Sequence, residues 1–426
     1  MSQPRVSGYR WVVLAAFMAV NLTIQALWIS YAPVTGRAEQ YFGVSAVAVG
    51  ALSMVFMLAY LPLAIPASWL IDRRGFRVAA GAGALLAGVA GVVRGLAGQE
   101  YVVVLVATIG AAIAQPLLLN AWTTVSGRWF ARSQRATAVS LITLANLVGT
   151  GVGLALTPSL VGSLSLGSVQ LVYGVVALAA GIVFVAVARE RPAVAPEPDE
   201  QEQPALMLDG LRRTLRIRPF VLFLAMVFVA MGAFNGLSTW VEQILAPRGF
   251  DSAQAGDVGA LGLVGGVIGA VVLSTLSDRT GRRVPFLVLA LGLGGPALAG
   301  IALATGLPAI LGCAFGLGFF MTSALPIGMQ YAAEVTYPTP AATSNGLVQL
   351  AGQASVALVY LMVVTRTPSG SFTPSLLGLA VLLLVGAAVA TRLPEPRVHL
   401  DATGEVAGAP VPVTEGPLTG GLPPSR

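Results

Sequence analysis

Twelve apolar stretches run through this chain, each long enough to cross a bilayer and separated by short gaps that carry arginine. A segment crossing hydrocarbon finds no water for its backbone, so it closes its hydrogen bonds on itself as a helix. About 20 mostly apolar residues are needed for one crossing. The stretches fall near residues 10–35, 45–70, 76–97, 101–126, 135–160 and 166–188, then near 218–246, 254–276, 283–303, 307–332, 341–365 and 373–392. This spacing predicts an all-α membrane protein of twelve transmembrane helices in two six-helix bundles, 10–188 and 218–392.

Only 10% of the 426 residues are charged, against about a quarter in a soluble domain, so most of the surface is expected to face lipid. The 50 glycines fit helices in close approach within a bilayer. The net charge of +6 does not imply nucleic acid: every basic residue is an arginine, and these sit between the apolar runs. With residues 1–9 in the cytoplasm, only Arg37, Arg94, Arg248 and Arg366 fall outside, and the other 20 of the 24 fall inside. That bias places both termini in the cytoplasm of an inner (cell) membrane. The first run is too long for a signal-peptide core and lacks a convincing cleavage site, so it is expected to be a retained span.

Cys313 lies in an apolar run and His399 in the tail, so no internal disulfide and no intramembrane histidine ligand or base is available. No enzyme chemistry and no cofactor is expected. The partners expected are a small-molecule substrate and the lipid bilayer, with no nucleic acid, and the chain is expected to act as a monomer. Residues 189–217 hold Pro192, Pro196, Pro198, Pro204 and a cluster of acids, then a helical alternation over 206–218. They read as a cytoplasmic linker with a short surface helix. The tail 393–426 is rich in proline, glycine and small polar residues and is expected to be disordered.

An internal repeat gives the architecture. Ser68, Leu70, Asp72, Arg73, Gly75 and Arg77 follow span two, and Ser274, Leu276, Asp278, Arg279, Gly281 and Arg283 follow span eight. Both read S-x-L-x-D-R-x-G-x-R, 206 residues apart (278 − 72). Ala136, Thr137, Leu141, Leu144 and Ala145 recur at the same offset as Ala342, Thr343, Leu347, Leu350 and Ala351. The chain is a duplicated unit. The paired loops resemble the signature of the major facilitator superfamily, which implies two pseudo-symmetric bundles that alternate access to a central site. In such a loop the glycine permits a tight turn and the Asp can cap a neighbouring helix. Asp72, Arg73, Gly75, Arg77 and their mates are expected to gate rather than to bind. Arg135 and Glu334, at matching cytoplasmic ends, are expected partners in that network.

Polar and aromatic residues within spans are the candidates for the pathway. Asn21, Gln25 and Trp28 form one stripe of span one. Gln115, Asn120 and Trp122 lie in span four, Asn235, Ser238, Thr239 and Glu242 in span seven, and Asn345, Gln349 and Gln353 in span eleven. Asn146 and Gln330 add to the set. Each has a plainer alternative: an intramembrane amide more often bonds a neighbouring helix, and Trp11 and Trp122 read as interface anchors. Gly149 and Gly153 have the spacing of a helix-packing pair. No Asp, Glu or His stands at the centre of a span, which disfavours proton coupling, with Glu242 the one possible coupling group. Amides and aromatic faces without formal charge suit a bulky organic cation.

The run Trp28-Ile29-Ser30-Tyr31, the stretches 41–45, 52–62 and 66–72, Ala114-Gln115, Trp129-Phe130, residues 343–347 and Gln353 resemble the feline leukaemia virus subgroup C receptor-related branch. The resemblance implies facilitated transport of choline and ethanolamine, and haem export has also been proposed for that branch. It implies a site of Trp28, Gln115 and Gln353, with Asn235 where the branch carries a tyrosine. A small or quaternary amine is the cargo expected from this set, with Gln25, Asn21 and Gln349 beside it. The alternatives are a proton-driven exporter of drugs or metabolites, a haem transporter, or a receptor that carries nothing.

Overall fold

The computed structural model describes residues 8–192, 213–339 and 341–396. The surface helix expected over 206–218 and the disorder expected over 393–426 lie largely outside these residues, as does most of 1–9. Among the described residues twelve helices are long and apolar enough to cross a membrane. Spans one to six are Tyr9–Phe42, Ala46–Arg74, Phe76–Leu96, Tyr101–Trp129, Thr137–Val161 and Leu166–Val187. Spans seven to twelve are Arg218–Arg248, Ser252–Thr280, Val284–Leu303, Leu307–Val335, Thr343–Val364 and Thr373–Ala390. Eleven agree closely with the reading from sequence. Span one runs on past its expected end: Pro33 opens a tight turn over Ala32–Val34, and a short helix, Thr35–Phe42, ends at Gly43 with φ +67°.

The duplication is visible in the packing. In the N half, span one packs on five, two on four, and three on both four and six. The C half repeats the scheme: seven on eleven, eight on ten, and nine on both ten and twelve. Small residues make these approaches possible. A Cβ on Gly149 would overlap the Leu22 carbonyl, and one on Gly153 would overlap Ile29. The Gly149/Gly153 pair thus serves as the helix-packing surface expected of it, between spans five and one. Outward faces keep large apolar side chains exposed, such as Leu96, Val102 and Val271, as a bilayer requires.

Among the described residues four spans are interrupted at depth. Span four breaks at Asn120 and Ala121, between Tyr101–Leu119 and Trp122–Trp129. A wide π turn, Val152–Leu156, follows Gly151 in span five. Span eleven breaks at Ser355, between Ala341–Ala354 and Val356–Val364. Span seven kinks at Trp240, whose φ is −106° and ψ 16°. Such breaks free backbone groups and mark places where a helix can change shape.

The halves meet at the end of the bundle away from the chain termini. There the Gly36 amide donates to Glu242 Oε2 at 2.8 Å, and Gln243 Nε2 donates to Glu39 Oε2 at 3.5 Å. Gly36 and Glu242 are themselves 206 residues apart, so the seam joins repeat-related positions. The Trp240 ring lies on Gly50, and the mate of Gly50, Gly256, lies on the Leu154 carbonyl.

Candidate functional site

In the N half the intramembrane amides gather into one group. Trp122 Nε1 donates to Asn21 Oδ1 at 2.8 Å, while Asn21 Nδ2 donates to the Phe17 carbonyl at 2.9 Å. Trp122 is therefore a partner of the stripe on span one, not the interface anchor expected. Gln115 Nε2 donates to Gln25 Oε1 at 3.3 Å, and Gln115 Oε1 is buried without a partner. A buried, unsatisfied amide oxygen costs roughly 1–3 kcal/mol, so it marks a place where a donor is wanted. Asn120 is spent on structure: it accepts from Tyr60 Oη at 2.6 Å and donates to the Ala64 carbonyl and Ser68.

Trp28 clamps spans one and two. Its Nε1 donates to the Ser53 carbonyl at 3.1 Å, and Ser53 Oγ donates back to the Trp28 carbonyl at 3.2 Å. With the indole N–H engaged and the residue 7% exposed, only the aromatic face is left for a ligand.

In the C half Asn235 Nδ2 donates to Ser355 Oγ at 3.5 Å, at the break in span eleven, and Ser355 Oγ donates to the Gly352 carbonyl at 2.6 Å. Gln349 and Gln353 are half-buried and form no hydrogen bond among the described residues. Asn146 Oδ1 and Asn345 Oδ1 are buried without partners. The structure thus joins Asn21, Gln25, Gln115 and Trp122 into one cluster, and Asn235 with span eleven into another. Among the described residues no hydrogen bond links Trp28 or the first cluster to the second.

Glu242 lies at the seam rather than in either cluster. Besides the Gly36 amide it accepts from Ser252 Oγ at 2.7 Å, and it is 6% exposed. Arg94, which the arginine count set in an outer gap, lies in the last turn of span three and is 1% exposed.

At the terminal end the signature loops have the turns expected, with φ +85° at Gly75 and +63° at Gly281. The caps come from elsewhere. Neither Asp72 nor Asp278 caps the following helix; Glu190 and Glu395 do. Glu190 accepts from the Phe76 and Arg77 amides at 3.0 and 2.9 Å and pairs with Arg128. Glu395 accepts from the Arg283 and Val284 amides at the start of span nine. Asp278 instead pairs with Arg283 at 2.5 Å, and Arg283 Nη2 reaches Glu334 Oε1 at 3.1 Å. Burial alone would lower the Arg283 pKa, but the hydrogen bonds and charges of Glu334 and then Asp278 carry it above its ordinary value. Glu334 also accepts from Gln330 at 3.0 Å, and Arg135 Nε donates to the Phe130 carbonyl at 3.3 Å. Glu190 and Glu395 were detectable in sequence: each follows the last span of its half, nearly at the repeat offset.

The family model for the Major Facilitator Superfamily matches residues 11–360 and 242–420. The chain is 31% identical to Solute carrier family 49 member A3 of Danio rerio, over 86% of this chain and 80% of that protein. It is 31% identical to the Choline/ethanolamine transporter FLVCR1 of Felis catus, over 82% of this chain and 66% of that protein. Among solved structures it resembles a bacterial homologue of the human lysosomal transporter Spinster, crystallised inward-facing and unoccupied. The TM-score is 0.73 at 16% identity, covering 91% of this chain and 98% of that one.

Proposed function

The chain belongs to the Major Facilitator Superfamily, and from that premise we propose that this membrane transporter carries a small amine or quaternary ammonium compound. It does so by alternating access, without obligatory proton coupling and as a monomer. The observation that carries this reading is the uncharged amide group of Asn21, Gln25 and Gln115, the first two on the same stripe of span one as Trp28, with Gln115 Oε1 lacking a partner. A hydroxyl or ammonium N–H on the cargo supplies the missing donor, and the indole face attracts the cation by about 0.5–2 kcal/mol. The naming of relatives as choline/ethanolamine transporters supports the same class. Asn235 replaces a ring with an amide, which favours cargo with more hydrogen-bonding groups than choline. The excess of arginine on one side supports cytoplasmic termini in the cell membrane.

Glu242 fits a gate better than a proton carrier. Its acceptors are occupied by an amide of the opposite half and by Ser252, an arrangement that lasts only while the far end is closed. The Asp72 and Asp278 loops, with Arg135 and Glu334, act as the opposite gate.

The test is uptake of labelled choline into proteoliposomes without an imposed ion gradient. Saturable uptake in the parent, lost in Trp28→Ala at unchanged thermal stability, is expected. Uptake that Trp28→Ala leaves intact would remove Trp28 from the site, and uptake requiring a pH gradient and abolished by Glu242→Gln would establish proton coupling.

A further inference from the structure

The two halves share a fold but have diverged at one position in it. Adding the 206-residue offset to Asn21, Gln25 and Gln115 gives Val227, Met231 and Met321. Where the N half bonds amide to amide, the C half has an apolar cleft, lined by those three residues together with Met226, Leu291 and Val348. The cleft has a volume of about 30 Å³, close to that of one water, so a larger occupant enters only where the side chains around it re-pack.

The cleft lies beside the C-half polar cluster. Met231 and Asn235 are one turn apart on one face of span seven. The Met231 side chain rests on span eleven, where a Cβ added to Gly352, the neighbour of Gln353, would stand 3.3 Å from Met231 Cγ. Three methionines give this wall soft, unbranched side chains that re-pack around different apolar shapes.

We propose that this cleft is an apolar subsite for the non-polar part of the cargo, which is therefore an amphipathic amine. Its cationic or hydroxyl-bearing end meets Trp28 and the N-half amides, and its alkyl or aryl part enters between Met231 and Met321. This rests on the amine-carrier reading and narrows it from amines in general to those with an apolar tail.

Competition by a homologous series tests it. Tetramethylammonium and its butyl, hexyl and octyl relatives are added against labelled choline, and binding to the purified full chain is followed in parallel by thermal shift. Neutral alkanols with the same tails serve as controls. Potency is expected to rise roughly three- to fourfold for each methylene added. Met231→Gln or Met321→Gln, each installing the N-half residue at its mate, should flatten that rise. Partitioning into lipid would raise potency equally in parent and variants, so an unaltered slope overturns the subsite. So does binding of the ammonium head with no dependence on tail length, which leaves the amine reading standing. Alkanols that bind as well as the ammonium series, and lose their slope in the variants, would keep the subsite and end the amine reading. Met231→Leu, which keeps an apolar wall, should retain the slope; its loss there would also overturn the proposal.

Discussion

Arg94 is a charge buried in the N half with no carboxylate beside it among the described residues. Its Nη1 donates to the Leu27 carbonyl at 2.8 Å and Nη2 to Ser30 Oγ at 3.3 Å, and its guanidinium lies 4.7 Å from the centre of the Tyr31 ring. Leu27 and Ser30 flank Trp28 at the end of helix Tyr9–Ile29, where carbonyls lack helical partners and the dipole is negative. A dipole end and two hydrogen bonds offset only part of the desolvation of an unpaired guanidinium, which runs to several kcal/mol. The arrangement reads as function kept at the expense of stability. Arg94→Met is therefore expected to hold or raise the melting temperature while lowering transport at least tenfold, because the turn that sets Trp28 is freed. A fall of many degrees, with transport per folded molecule unchanged, would make the charge structural instead.

Helix ends show the same economy one level up. Spans three and nine each begin with a carboxylate on their free amides, Glu190 and Glu395, which arrive from beyond the last span of the same half. An anion at a helix N-terminus contributes about 0.3–1 kcal/mol when partly exposed, and the Arg128 pairing adds little more because both partners see solvent. Glu190→Gln and Glu395→Gln should each cause a modest drop in melting temperature. They sit in different halves and share no partner, so the double variant should show the sum; a double no worse than either single would mean the halves unfold through a common event these caps do not control. The helices themselves were legible because apolar length and arginine position are local signals. The caps left only the near-repeat spacing of Glu190 and Glu395 as a trace, masked because the D-R-x-G-x-R loop carries its own acid close by and the acid that serves stands more than a hundred residues on. Trp122 was misread for a related reason: a span tryptophan looks alike on the lipid face and on an inward face until its neighbour, Asn21, is known.

At the scale of the molecule, the repeat made both halves legible but left open which end of the bundle would be sealed. Closure depends on single residues at the seam, and the decisive one has no side chain. A Cβ on Gly50 would overlap the Trp240 ring. That ring is not free to yield: its Nε1 donates to the Val359 carbonyl at 2.9 Å, and it stacks on Phe372 at 6.0 Å between centres. Gly50→Ala must then part the halves at the far end or displace Trp240 from both partners, and either shifts the population away from the sealed state. Thr239 reports this directly, being 1% exposed with its hydroxyl unpartnered, so Thr239→Cys in a Cys313→Ser background loses no hydrogen bond. A membrane-impermeant maleimide added from the far side should label it slowly in the parent and several-fold faster with Gly50→Ala. Transport should fall at least tenfold, since every cycle passes through the sealed state. Adding Trp240→Leu removes the obstacle and should restore slow labelling. If labelling is unchanged by Gly50→Ala and transport stays normal, the Gly50–Trp240 contact is incidental. The latch would then have to be Glu242 on the Gly36 amide, and Glu242→Gln would open the far end where Gly50→Ala did not.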